Sequence, residues 1–167
     1  LNEYLTKNIK SFTEKQWRVL FFQVLYALMK LYSRMSNFRH NKLDLDSIFV
    51  VTKKGSGGSN VLKHGNMTFT VPNTGFDIKI CNFYHANTSD YLHNIDAVND
   101  SDNPYYDIHY FTSCLMFKIK ELGYTLPGSV SGFIKKIIPS DLVTEDKSKF
   151  TGLDEEYYDD KYSQIMT

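Results

Sequence analysis

Phe38-Arg39-His40-Asn41-Lys42-Leu43-Asp44-Leu45-Asp46-Ser47-Ile48-Phe49-Val50-Val51-Thr52 is the stretch on which the reading of this chain turns. Asn37–Lys42 is polar and lacks helical or strand periodicity, so it reads as a loop. From Ile48 to Thr52 every residue is β-branched or aromatic, which suits a buried strand.

Upstream, the pattern is helical from about Ser11 to Met35. Trp17, Leu20, Phe21, Val24, Leu25, Leu28, Leu31 and Tyr32 recur at three- and four-residue steps, with Lys15, Arg18, Gln23, Lys30 and Arg34 between them. Ser11 with Glu14, or Thr13 with Gln16, fits a capping box at its start. An apolar stripe of this kind packs into a core.

Downstream, Gly55-Ser56-Gly57-Gly58-Ser59 reads as a flexible loop, as suited to an engineered linker as to a natural loop tip. Met67–Val71 and Phe76–Ile80 alternate at period two about a turn at Pro72-Asn73-Thr74-Gly75, and give two further short strands. Residues 84–104 form a long polar loop. Tyr106–Leu122 is a second core helix, stopped at Gly123, and Ser129–Ile138 a short third one, closed by Pro139. Residues 139–167 make an acidic, Tyr-rich tail.

The 167 residues are enough for one core and one domain. Lys and Arg (19) balance Asp and Glu (19), so no overall field draws nucleic acid or an anionic membrane. Residues 1–79 nevertheless carry 12 basic against 5 acidic side chains, and residues 80–167 carry 7 against 14. The halves could pair within the fold, meet partners of opposite sign, or simply be solvated. Cys81 and Cys114 have no zinc spacing and read as buried free thiols of a reducing compartment. The start of the chain lacks a secretory pattern, and no apolar run reaches about 18 residues, so membrane insertion is not expected. The acidic run Asp96…Asn99-Asp100…Asp102 lacks the Asp-x-Asp spacing and glycine of a calcium loop. His85, His93 and His109 have no metal spacing, and no basic-aromatic patch for a specific nucleic acid stands out. Leu1 in place of Met suits a piece of a longer product.

His40-Asn41-Lys42-Leu43-Asp44-Leu45-Asp46-Ser47-Ile48 resembles the protein-kinase catalytic loop H-R-D-L-x-x-x-N, and Asn82-Phe83-Tyr84 resembles D-F-G. Each match alone is weak. Their order, the two strands between them and the flanking helices make the pair specific. Phe38-Arg39-His40-Asn41, Val71-Pro72-Asn73-Thr74-Gly75-Phe76 and Asn103-Pro104-Tyr105-Tyr106-Asp107-Ile108-His109-Tyr110-Phe111 are similar to phrases of the serine/threonine kinase-like proteins of large nucleocytoplasmic DNA viruses. The likeness covers roughly residues 12–138. It implies an α+β, mainly helical fold, the carboxy-terminal lobe of a protein kinase with a small β-hairpin element, spanning residues 1–167. The amino-terminal lobe, with its Gly-rich loop and phosphate-binding lysine, has no room before Ser11.

The resemblance also implies what has changed. The catalytic-loop aspartate, the magnesium-binding asparagine and the D-F-G aspartate match Lys42, Ser47 and Asn82. Charged lysine cannot accept a proton, and a hydroxyl and an amide are poor hosts for a hard divalent cation. His40, Phe83 and Asp107 match framework residues: the first two pack between lobes, and the third holds the catalytic-loop backbone. Taken singly, a core histidine, a core aromatic and a helix cap are the favoured descriptions, and only the set in order favours the framework roles. The expectation is a pseudokinase-like module in the host cell cytoplasm or virion. It would bind protein partners, including a separate amino-terminal lobe or a viral structural protein. No cofactor is expected, and residual ATP binding is left open. Alternatives are an active kinase in which Asp44 or Asp46 replaces the lost base, and an architectural virion component that never meets nucleotide.

Overall fold

The computed structural model describes residues 1–55, 57–89 and 105–138. The acidic tail at 139–167, most of the polar loop, the run 96–102 and Asn103-Pro104 lie outside the described residues.

Among the described residues four α-helices and four strands follow in the order α1 (Asn2–Asn8), α2 (Glu14–Tyr32), β1 (Ile48–Thr52), β2 (Ser59–His64), β3 (Met67–Pro72), β4 (Phe76–Ile80), α3 (Tyr106–Glu121) and α4 (Gly128–Ile137). The architecture is α+β, with small sheets and helices that dominate the core. Of the two capping boxes open to the sequence, the chain uses Thr13 and Gln16: the Gln16 N–H donates to Thr13 Oγ1 at 3.3 Å, and the Thr13 N–H to Gln16 Oε1 at 2.9 Å. This starts α2 at Glu14, three residues later than Ser11. Of its stripe Trp17, Leu20, Phe21, Val24 and Leu28 are buried, while Leu25, Leu31 and Tyr32 are half-buried. Trp17, Leu20, Val24 and Leu28 lie in one core with Leu115 and Ile119 of α3, and Phe21 sits edge-on to Phe111 of α3 and Phe133 of α4, 5.8 Å from each. Each such side chain contributes roughly 1.5–3 kcal/mol through burial.

The strands differ from the reading in three ways. Ile48–Thr52 is a strand, but only Ile48 is buried; Phe49 is 65% exposed, because a two-stranded ribbon covers one face of β1 and leaves the other open. β2 begins at Ser59, the last residue read as flexible loop, and runs through residues 60–64, for which no element was expected. Third, Pro72–Gly75 does not close a hairpin between β3 and β4. β1 pairs antiparallel with β4 (Ile48 opposite Ile80, Thr52 opposite Phe76), and β2 pairs with β3 about Gly65-Asn66. The β2–β3 ribbon is thus an excursion from the β1–β4 hairpin. It docks on α2 by placing Phe69 against Phe22 and Tyr26, while Tyr26 Oη and Lys30 Nζ both donate to the Lys63 carbonyl at 2.8 Å.

Gln23, a polar interruption in the α2 pattern, ties the other ribbon to the helix. Its Oε1 accepts the Ile78 N–H at 2.9 Å, and its Nε2 donates to the Phe76 carbonyl at 3.4 Å and to Asp77 Oδ1 at 3.3 Å. Cys81 and Cys114 are free, but half-buried rather than buried. Among the described residues no helix is long and apolar enough to cross a membrane.

Candidate functional site

Two short segments meet between β1–β4 and α3: the turn 36–47 after α2, and residues 81–89 after β4. Three asparagines make the turns possible. Asn37, Asn41 and Asn82 all have left-handed backbones, with φ of 51°, 62° and 62°. Asparagine tolerates this conformation better than most side chains.

Asp107, one residue into α3 and 1% exposed, organises the first turn. Its Oδ2 accepts the His40 N–H at 2.8 Å and the Tyr32 hydroxyl at 3.2 Å, and its Oδ1 accepts the Asn41 N–H at 3.0 Å. Asp107 does not cap α3, whose N-cap is Tyr105. Burial raises the carboxyl above its ordinary range, while the His40 and Asn41 amides and the charge of Arg39 pull it back. Tyr32 is displaced upward by its own burial and by the neighbouring carboxylate. Arg39 lies over the Tyr106 ring at 4.2 Å, a cation–π contact inside the fold.

His40 is fully buried. Its Nε2 lies 2.8 Å from the Cys81 carbonyl, which can only accept, so the ring presents its Nε2 proton there. The Phe83 ring lies 5.2 Å from it and 6.3 Å from Phe38, yet Phe83 remains 43% exposed on its other side. Asn41 Nδ2 donates to the His85 carbonyl at 2.8 Å, and Arg39 and Asn87 exchange both backbone hydrogen bonds.

Lys42, Ser47 and Asn82 come together through Ser47. Its hydroxyl donates to the Lys42 carbonyl at 2.9 Å and accepts from Asn82 Nδ2 at 3.4 Å, and its carbonyl accepts the Cys81 N–H at 2.9 Å. The side chains of Lys42 and Asn82 are exposed, whereas Ser47 is fully buried and does not face an open cleft. Asp44 is half-buried and occupied: Oδ1 accepts the Ser47 N–H at 2.7 Å. Asp46 is exposed, with Asn2 Nδ2 3.4 Å from its Oδ2. Among the described residues no cluster of three or more His, Cys, Asp or Glu could hold a metal ion. A cavity of about 440 Å³ is lined by residues 6–11 and Leu122, none of them in this constellation.

Sequence reasoning singled out His40, Lys42, Asp44, Asp46, Ser47, Asn82, Phe83 and Asp107, and missed Tyr32, Arg39 and Asn41 as working parts. Tyr32 reads as one more core residue of the α2 stripe, and Arg39 as one more loop charge. For Asn41 a signal existed: asparagine is one of the few residue types that tolerates the left-handed backbone a tight polar turn needs.

No protein-family model matches the chain, and no solved structure matches it. Over 159 residues it is 29% identical to a protein of Acanthamoeba polyphaga mimivirus named as a "putative serine/threonine-protein kinase", in a match covering 84% of this chain and 34% of that one. The chain has a viral relative that carries a protein-kinase name, and it spans about a third of that relative's length.

Proposed function

We propose that this chain is a degenerate protein-kinase-like carboxy-terminal lobe, viral in origin, that acts as a protein-interaction or regulatory scaffold in the host cell cytoplasm or the virion. The observation that carries the reading is the character of three converging positions. Where phosphoryl transfer needs a proton acceptor and two hard metal ligands, the chain offers a lysine, a buried hydroxyl already engaged on both sides, and an amide. The surroundings support the reading: Asp107 holds the 40–41 backbone, and His40 and Phe83 pack together. The half-exposed Phe83 and the open face of β1 with Phe49 offer apolar surface to a protein partner, such as a separate lobe.

The active-kinase alternative draws on the name of the mimivirus relative and requires Asp44 or Asp46 as base. Asp44 is committed to the Ser47 amide, which argues against it, and Asp46 points to Asn2. A thermal-shift titration with ATP, with and without magnesium, separates the readings. Stabilisation by ATP that does not depend on magnesium suits the pseudokinase, magnesium-dependent stabilisation suits an enzyme, and no shift suits an architectural protein.

A further inference from the structure

Residues 81–89 run beside the 36–47 turn and are tied to it at intervals. At the far end the Ser89 N–H and the Thr88 hydroxyl donate to the Ser36 carbonyl; in the middle come the Arg39–Asn87 pair and Asn41 to His85; at the near end Cys81 and Asn82 meet Ser47. All but one of these ties have a backbone group on at least one side, and the Ser89–Ser36, Arg39–Asn87 and Cys81–Ser47 ties are backbone on both. The contact between Asn82 and Ser47 is different, because it joins two side chains 35 residues apart and continues to the Lys42 carbonyl. We propose that Asn82 and Ser47 form a latch that holds the 81–89 strap closed over His40 without a metal ion.

The chemistry is complementary in one sense only. The Lys42 carbonyl must accept, so the Ser47 hydroxyl spends its single proton there and turns a lone pair towards segment 81–84. That lone pair needs a donor, which an amide supplies and a carboxylate does not. Ser47 is fully buried, so the pair has little competition from water on that side. Asn82 brings its amide to the place by adopting a left-handed backbone, and the following turn, Phe83–His85, lays Phe83 over His40. Opening the latch would release Phe83, already 43% exposed, from that ring. The inference concerns hydrogen bonding alone and stands apart from the pseudokinase reading.

The test is amide hydrogen exchange of the chain, resolved over residues 81–87, for the parent, Ser47→Ala, Asn82→Gly and the double variant. Glycine accepts the left-handed backbone, so Asn82→Gly removes the amide without adding strain. Each single variant is expected to exchange roughly threefold to tenfold faster there, in line with one lost hydrogen bond, and the double variant no faster than the faster single. Excess magnesium should leave the parent unchanged. Unchanged exchange in either single variant, effects that multiply in the double, or protection of the parent by magnesium would each overturn the proposal. Multiplied effects are also what glycine flexibility alone would give. Should Ser47→Ala fail to fold, Ser47→Cys, whose thiol is a weak donor and acceptor, takes its place in the cycle.

Discussion

Replacing Asp107 by alanine removes one carboxylate and strands three donors: the His40 and Asn41 amides and the Tyr32 hydroxyl, held at 2.8, 3.0 and 3.2 Å. Each buried donor left without a partner costs about 1–3 kcal/mol, so a simple sum for three donors overshoots what a turn that can relax would lose. Two effects reduce it. The variant no longer buries a carboxyl whose charged form is disfavoured there, and the space vacated beside Tyr32 can admit water to serve a donor. A net loss of about 2–4 kcal/mol is expected, which for a chain of this size lowers the melting temperature by roughly 4–16 °C. Asp107→Asn should fall between parent and alanine, since its oxygen can serve one backbone amide while its NH2 faces the other. Urea or thermal unfolding of the three proteins gives the order, and hydrogen exchange at residues 40 and 41 gives the location. If Asp107→Ala melts within a degree of the parent, the carboxylate is not what holds the turn.

The purified chain should show no magnesium-dependent phosphoryl transfer to generic protein substrates; transfer that disappears on Asp44→Asn would support the active-kinase alternative. Thr13→Ala, which breaks the capping box of α2, should cost about 1 kcal/mol in a urea titration, and an unchanged midpoint would mean the cap is idle. Phe69→Ala should free the β2–β3 ribbon from α2 and make residues 59–72 the first site of limited proteolysis; equal protection there would show that the Lys63 contacts suffice alone. Lys42→Asp and Asn82→Asp, both at exposed positions, should leave a folded protein, whereas adding Ser47→Asn should destabilise it by about 1–3 kcal/mol, because a fully buried serine has no room for the larger side chain. A triple variant as stable as the parent, read by urea unfolding, would mean that the 47 position opens to a cleft.

α2 and α3 were legible because each carries a long periodic stripe, and Gly123, with φ of 60°, ends α3 where the sequence places the end. α1 was not legible. Asn2–Asn8 is two turns long, too short for a period to stand out, and its only buried residue is Leu5. The strand pairing was hidden for another reason. Alternation marks Met67–Val71 and Phe76–Ile80 as strands, but partners are chosen by tertiary contacts: Gln23 takes hold of β4, and Phe22 and Tyr26 take hold of β3. Two adjacent strands that a turn could have joined therefore belong to different ribbons.

At the candidate site, residues whose types are unusual for their surroundings were legible, and those whose roles depend on backbone geometry were not. A lysine within an otherwise kinase-like loop is visible in one dimension, while the engagement of Ser47 is visible only once the Lys42 carbonyl is known to face it. That engagement bears on how positions 42, 47 and 82 relate. With the Ser47 hydroxyl donating to the Lys42 carbonyl, an aspartate at position 82 would present oxygen to oxygen with no proton left between them, whereas asparagine presents a donor. Serine at 47 and asparagine at 82 are therefore complementary as a pair, and a carboxylate at 82 would need a cation to hold it there.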